Sequence, residues 1–277
     1  MKKNQITTTI KYLIAILISI IWILPFLGIV MTAIRPLQEV IYGWWNLKPF
    51  TPSLANFINA WNHPTAPLSQ GTFNSLLVAL PSTLIPVLAA SLAAYGFARF
   101  HFSLVTPLFI LVILLMALPQ QMIAIPIFQL MKNLNLLNTY SGLIIIHSAW
   151  GMPWIVFFLR NFFITLPIEI EESAKIDGAS DFVVFSRIIL PVSWPALISS
   201  IVLQFMWVWS DFFLALILVY TPSKLLATQR IPLMRGQYHV DWGVLTAASI
   251  ISMIVPLFIF AFLQKYYIKG LIGWTTK

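Results

Sequence analysis

Residues 166–191 read Leu-Pro-Ile-Glu-Ile-Glu-Glu-Ser-Ala-Lys-Ile-Asp-Gly-Ala-Ser-Asp-Phe-Val-Val-Phe-Ser-Arg-Ile-Ile-Leu-Pro. Five of the chain's eight carboxylates fall here: Glu169, Glu171, Glu172, Asp177 and Asp181. Almost everything on either side is long apolar sequence. An acidic, helix-forming stretch that such a chain keeps in water is expected to touch something in water.

Working outward, the 277 residues are 60% hydrophobic and only 9% charged. A soluble domain carries about 25% charge. Uncharged runs recur at Tyr12–Ile34, Phe73–Ala98, Phe102–Met131, Asn133–Leu159, Ile188–Ser210 and Trp242–Gln264. Each is long enough for a spanning helix, which needs about 20 apolar residues at roughly 1.5 Å rise. The expected fold is all-α and integral to the membrane, with six transmembrane helices.

Lys2, Lys3 and Lys11 precede a first run that is too long for a signal peptide and lacks a small-x-small cleavage site. That run reads as a retained helix with a cytoplasmic N-terminus. Six crossings then put both termini and the loops near 99–102 and 160–191 inside. Lys2, Lys3, Lys11, Arg99, Arg160, Lys175, Arg187, Lys265, Lys269 and Lys277 fall inside, against Arg35, Lys48, Lys132, Lys224, Arg230 and Arg235 outside. This agrees with the positive-inside rule, so the net charge of +8 is mostly topology. The basic residues are scattered and form no soluble basic face, which argues against nucleic acid as a partner. With no cysteine, disulfides, thiolate metal sites and cysteine nucleophiles are excluded.

The expected organisation is an N-terminal helix and outer segment over residues 1–70, a transport domain over 71–265 and a cytoplasmic tail over 266–277. The outer segment Pro36–Thr72 is rich in Pro, Asn and Trp, including Trp44, Trp45 and Trp61, as suits a membrane–water boundary. Pro25, Pro81, Pro86, Pro107, Pro119, Pro126, Pro153 and Pro256 lie within the spans. Each removes a helix donor. Such breaks survive in a bilayer where neighbours or a wet cavity satisfy the freed groups, which suits a transporter better than an anchor.

Within the acidic segment, Pro167 fits a helix start. Glu169 and Glu171 fall in the first turn, the favourable end of the dipole. Glu171 and Lys175 are spaced as an i,i+4 pair. Gly178 is placed to end the helix, and Ser180 to cap a second one beginning at Asp181. The segment predicts helix–turn–helix at the cytoplasmic face.

Glu172-Ser173-Ala174, three residues, Gly178, nine residues, then Ile188-Ile189-Leu190-Pro191 resembles the "EAA" loop of ABC-importer permeases, Glu-Ala-Ala-x3-Gly-x9-Ile-x-Leu-Pro. Ser173 is the one departure, and it too is small. Asn74-Ser75-Leu76, Ser91-Leu92-Ala93-Ala94-Tyr95, Ile125-Pro126-Ile127-Phe128, Leu136-Leu137-Asn138-Thr139, Gly236-Gln237-Tyr238 and Asp241-Trp242-Gly243 are similar to the same family, over roughly residues 70 to 270. The type resembled is the MalG-like permease of carbohydrate importers. The ending Ile272-Gly273-Trp274-Thr275-Thr276-Lys277 departs from that family's Thr-Ala-Gly-rich tail.

The resemblance implies a type I ABC-importer permease of the bacterial cytoplasmic membrane. Its partners would be a second permease in a heterodimer, two ATPase subunits, an extracytoplasmic substrate-binding protein and the lipid bilayer. It implies that residues 166–191 form a coupling helix docked on the ATPase, with Glu171, Glu172, Ser173, Ala174, Asp177, Gly178 and Ala179 as coupling residues. No Gly-Lys dipeptide and hence no P-loop is present. The chain is therefore expected to bind no cofactor and to carry no catalytic or metal-binding residues, ATP and Mg being used by the partner.

The fifth run carries Gln204, Trp207, Trp209, Ser210 and Asp211. An ionisable group in or near a span is a functional candidate, and aromatic faces with polar neighbours suit a sugar. Gln204, Trp207, Ser210, Asp211 and Asn74 are the candidate pathway residues. A helix starting near Ser193 would place Asp211 about 27 Å along, at the outer surface, where it equally fits an interfacial carboxylate. For Asn74, Gln120, Gln121 and His147 the ordinary role in a span is a helix–helix hydrogen bond. Two other readings stay open. One is the same importer class with a polyol, glycosylated osmolyte or glycerol-phosphate cargo. The other is a secondary transporter or channel without an ATPase, which calls for mid-span carboxylates that the chain lacks.

Overall fold

The computed structural model describes residues 2–236 and 240–272. Its elements are α1 (Lys2–Ala33), α2 (Leu37–Val40), α3 (Ala55–Trp61), α4 (Leu68–Arg99), α5 (Val105–Met116), a 3₁₀ turn at Gln120–Ile123, α6 (Ala124–Asn133) and α7 (Tyr140–Ile164). There follow α8 (Glu169–Ile176), α9 (Asp181–Val184), a π-helical turn at Phe185–Ile189, α10 (Leu190–Val192) and α11 (Trp194–Ser210). Then come α12 (Phe213–Leu218), a 3₁₀ turn at Pro222–Lys224, α13 (Ala227–Leu233) and α14 (Trp242–Ile272). No strand occurs among the described residues. Gln237, Tyr238 and the tail beyond Ile272 lie outside them.

Four helices are long and apolar enough to cross a bilayer unbroken: Thr8–Ala33, Leu68–Arg99, Tyr140–Ile164 and Trp242–Lys265. The other two expected spans are broken. Val105–Met116 meets Gln120–Asn133 at 97°, and Asp181–Val192 meets Trp194–Ser210 at 75°. The run 102–131 is therefore not one straight helix. Pro119 is extended, with ψ 134°, and the residue before a proline is pushed out of the helical region. The fourth span starts at Tyr140 rather than Asn133 because Asn135 and Asn138 both take φ 57°. Thr139 then caps α7, its hydroxyl accepting from Gly142 N at 3.1 Å.

Two compact units emerge, one of the chain up to Ser69 with Arg230–Met253, the other of Gln70–Gln229 with the chain from Ile254. In the first, the segment after α1 is organised by a buried ion pair. Arg35 Nε donates to Glu39 Oε2 at 2.9 Å, with the two side chains 1% and 7% exposed. Arg35 Nη2 donates to Pro49 O at 2.8 Å, and the Thr51 hydroxyl donates to Glu39 Oε1. That hydroxyl, followed by Arg35, holds the Glu39 carboxyl below its ordinary range against the opposing effect of desolvation. Asn56 Nδ2 donates to Ala33 O and Arg35 O, tying α3 back to the end of α1.

In the second unit, two apolar clusters share α4, α7 and α11. One gathers Ala90, Ala94 and Tyr95 with Ile155, Leu159, Phe163, Phe185 and Ala196. The other gathers Val78 and Ala79 with Ile127, Leu143, Phe205, Trp209 and Leu214. Between them lies a polar layer centred on Gln204. Pro86 cannot donate to the carbonyl four residues back. Gln204 Nε2 serves that carbonyl instead, donating to Ser82 O at 3.2 Å and to His147 O at 3.2 Å. Trp154 Nε1 donates to Gln204 Oε1 at 3.0 Å. Gly151 admits the amide against α7, since a Cβ there would overlap Gln204. Small residues and a shared polar group at the contact are what hold helices together where water gives no driving force.

Candidate functional site

The acidic segment forms two short helices with a sharp turn. After α8 the chain makes a Schellman closure: Ala179 N donates to Ala174 O at 3.0 Å and Gly178 N to Lys175 O at 3.0 Å. Gly178 sits at φ +88°, a conformation that glycine adopts without penalty. Ser180 occupies the cap position of α9, but its side chain makes no capping bond there. The expected Glu171–Lys175 pair is not formed. Lys175 Nζ instead lies 2.6 Å from Asp181 Oδ1, both side chains about half exposed, clasping α8 to α9.

Glu171 turns the other way and is 3% exposed. Tyr95 donates its hydroxyl to Glu171 Oε2 at 2.9 Å, and Arg99 Nε donates to Glu171 Oε1 at 2.6 Å. Arg99 Nη2 also donates to Leu166 O at 3.2 Å. Tyr95 and Arg99 are one turn apart at the end of α4, so the acidic segment is latched to a 32-residue helix. Ala174 and Ala179 pack against the apolar cluster beneath. On the outer side Glu172, Ser173, Asp177 and Gly178 are exposed, with Ile176 86% and Phe182 69% exposed. The seven expected coupling residues thus divide. Glu171, Ala174 and Ala179 face the spans; Glu172, Ser173, Asp177 and Gly178 face out.

The five pathway candidates are not gathered into one site. Asn74 is buried and donates to Ser223 O at 2.9 Å and Leu225 O at 3.0 Å, while Ala227 N donates to Ser75 Oγ. Gln204 has its amide fully engaged in the polar layer. Asp211 caps α12, its Oδ2 accepting from Leu214 N at 3.0 Å and Ala215 N at 3.2 Å. Ser210 is exposed at the end of α11. Trp207 is 41% exposed and, with Trp150, Trp154, Leu115, Met116 and Leu203, lines an apolar cavity of about 300 Å³. Asn138, outside the candidate set, grips the segment after α12 by accepting from Thr221 N at 3.0 Å, and Lys224 Nζ donates to its carbonyl at 2.8 Å.

These bonds gather two separate sets of helix ends and loops. Loop 166–180 meets Arg99 at one end of the bundle, and residues 74 and 138 meet 219–227 at the other. That pattern of bundled, broken helices with one latched acidic loop is matched by sequence. Residues 83–273 match the family described as binding-protein-dependent transport system inner membrane component. The chain belongs to this family.

The permease is 58% identical over 265 residues to a probable ABC transporter permease protein of Pyrococcus horikoshii, covering 96% of each chain. It is 33% identical over 267 residues to the trehalose/maltose transport system permease protein MalG of Thermococcus litoralis, covering 95% of this chain and 94% of that one. Its fold matches that of a bacterial ABC transporter involved in the import of the acidic polysaccharide alginate, with TM-score 0.82 and 17% identity over 96% of this chain and 98% of that one. The expected MalG-like, type I permease fold is borne out, and the chain is the membrane subunit of an ABC importer rather than an enzyme. Sequence reasoning missed Tyr95 and Arg99 as holders of Glu171. Their i,i+4 spacing at the end of a span, both facing an acidic loop on the same side, was the available signal.

Proposed function

We propose that the permease moves a sugar or sugar-like solute across the cytoplasmic membrane, driven by ATP hydrolysis on two separate ATPase subunits. The observation that carries this reading is the two-faced segment at 166–191. One face is latched to α4 through Glu171, and the other presents Glu172, Asp177, Ile176 and Phe182 to the cytoplasm. Closure of the ATPase pair would push on the outer face, and the Glu171 latch would pass that displacement into α4. Ala174 allows close approach beneath, and Gly178 shapes the turn.

The rest of the assembly would be a second permease and an extracytoplasmic binding protein, with both termini in the cytoplasm and Mg-ATP bound by the partners alone. Residues 71–265 would form the transport domain, preceded by the N-terminal helix and outer segment and followed by the tail from 266. The sugar reading draws on the cargo named for the trehalose/maltose relative and on the tryptophan-lined cavity at Trp207, since ring faces stack on sugars. Trp207 and Ser210 are the pathway residues it keeps.

The test is reconstitution of the four components in liposomes. Uptake of a glucose-containing disaccharide is expected only with internal ATP, the ATPase subunits and the binding protein all present. Uptake driven by an ion gradient without the ATPase would overturn the coupling reading. Uptake of a polyol or a glycerol phosphate, with the disaccharide ignored, would overturn the sugar reading alone.

A further inference from the structure

We propose that a cavity beside Arg160 binds the phosphate of an anionic membrane lipid, in the leaflet on the side of the 166–180 segment. The cavity measures about 260 Å³, and Phe97, His101, Thr106, Phe109, Ile110 and Arg160 are among its lining residues. Arg160 lies in the last turns of α7, and His101 lies in the loop between α4 and α5, so the polar groups sit at headgroup depth.

Arg160 has no carboxylate partner among the described residues. Its Nε is buried without a hydrogen-bond acceptor, and its Nη1 makes only a long bond of 3.4 Å to Asn161 Oδ1. One face of the guanidinium is covered by the Phe109 ring, 4.2 Å from the ring centroid. The ring covers a face and not the in-plane N–H groups, which remain the donors for an acceptor. A cation held this way at the end of a span is costly unless an anion reaches it, and a phosphate suits the planar donor edge of arginine.

The apolar wall fits the remainder of a lipid. No residue of α5 is buried, and Leu108, Leu111 and Leu114 are each exposed. α5 packs toward α7 through Phe109, stacked on Phe157, and Val112. Its other face, with Leu108, Leu111 and Leu114, is a surface of large aliphatic groups, which suits acyl chains. Basic pockets between spans on the cytoplasmic side are a recognised means of holding lipid head groups.

The assembled transporter, placed in nanodiscs of phosphatidylcholine with a minor share of phosphatidylglycerol, tests this by native mass spectrometry of retained lipid. Phosphatidylglycerol is expected to be enriched about fivefold over its share in the disc, a factor fitting one basic contact. Arg160→Gln should abolish the enrichment, while Arg160→Lys and Lys132→Gln, the latter at the opposite end of the bundle, should keep it. Absence of enrichment in the wild type, or equal enrichment in Arg160→Gln, would overturn the site. Displacement of the lipid by millimolar inorganic phosphate would overturn the lipid as its source in favour of the free anion. Loss of the second permease from Arg160→Gln would mean that the face is a protein contact instead.

Discussion

Glu171→Ala is expected to uncouple the transporter. Uptake should fall at least about a hundredfold, and the ATPase rate should no longer rise when loaded binding protein is added. The cause is local. Arg99 and Glu171 are 10% and 4% exposed at their side chains, so removing the carboxylate strands a buried guanidinium and a buried tyrosine hydroxyl. Breaking such a pair costs about 3–5 kcal/mol, and 1.4 kcal/mol is tenfold in a population. The segment should therefore leave its seat on α4 while α8 itself, closed by its own turn, stays helical. Glu171→Gln keeps one acceptor oxygen, for Arg99, while its NH2 can donate to the Tyr95 hydroxyl oxygen, and it should retain a measurable part of the uptake. Uptake and ATPase rates measured together, at equal membrane abundance, check this. Wild-type stimulation in Glu171→Ala would remove the latch from the account.

Gly178→Pro is expected to abolish uptake while leaving the chain in the membrane. Gly178 stands at φ +88°, whereas proline is fixed near −65°. Proline also lacks the N–H that reaches Lys175 O at 3.0 Å. The Schellman closure would open, and with it the spacing between the outward faces of α8 and α9. Glu172→Lys makes the complementary test, because Glu172 is exposed and its replacement removes no internal bond. It should fold and insert normally, yet lose uptake through charge reversal at the docking face. Normal uptake by both variants would contradict the assignment of this segment to coupling.

Much of this was legible because membrane constraints write themselves into composition. The six apolar runs, the acidic interruption and the glycine at the turn follow from bilayer thickness and backbone geometry. The breaks were less legible. Pro119 disrupts its helix, whereas Pro81, Pro86 and Pro153 sit inside continuous ones. The difference lies in neighbours such as Gln204, which serves the carbonyl that Pro86 leaves free. Gln204 and Asn74 read as pathway residues because polar groups in spans are scarce; their NH2 groups go to backbone carbonyls, which carry no sequence signal. The pair Arg35–Glu39 was four apart in plain view but fell in a stretch whose prolines and tryptophans suggested only a boundary. Glu171 faced inward rather than toward Lys175 because a buried arginine and tyrosine outcompete an exposed lysine for the same carboxylate.

The most direct test uses the absence of cysteine in the chain. Ile176, 86% exposed at the tip of the acidic segment, can be replaced by cysteine as the only thiol in the permease, and its maleimide labelling rate followed with and without the ATPase subunits. Tyr220→Cys, 65% exposed at the other end of the bundle, serves as the reference. Assembly with the ATPase is expected to protect position 176 and to leave position 220 unchanged. Equal labelling of position 176 in the free and assembled permease would contradict the coupling assignment.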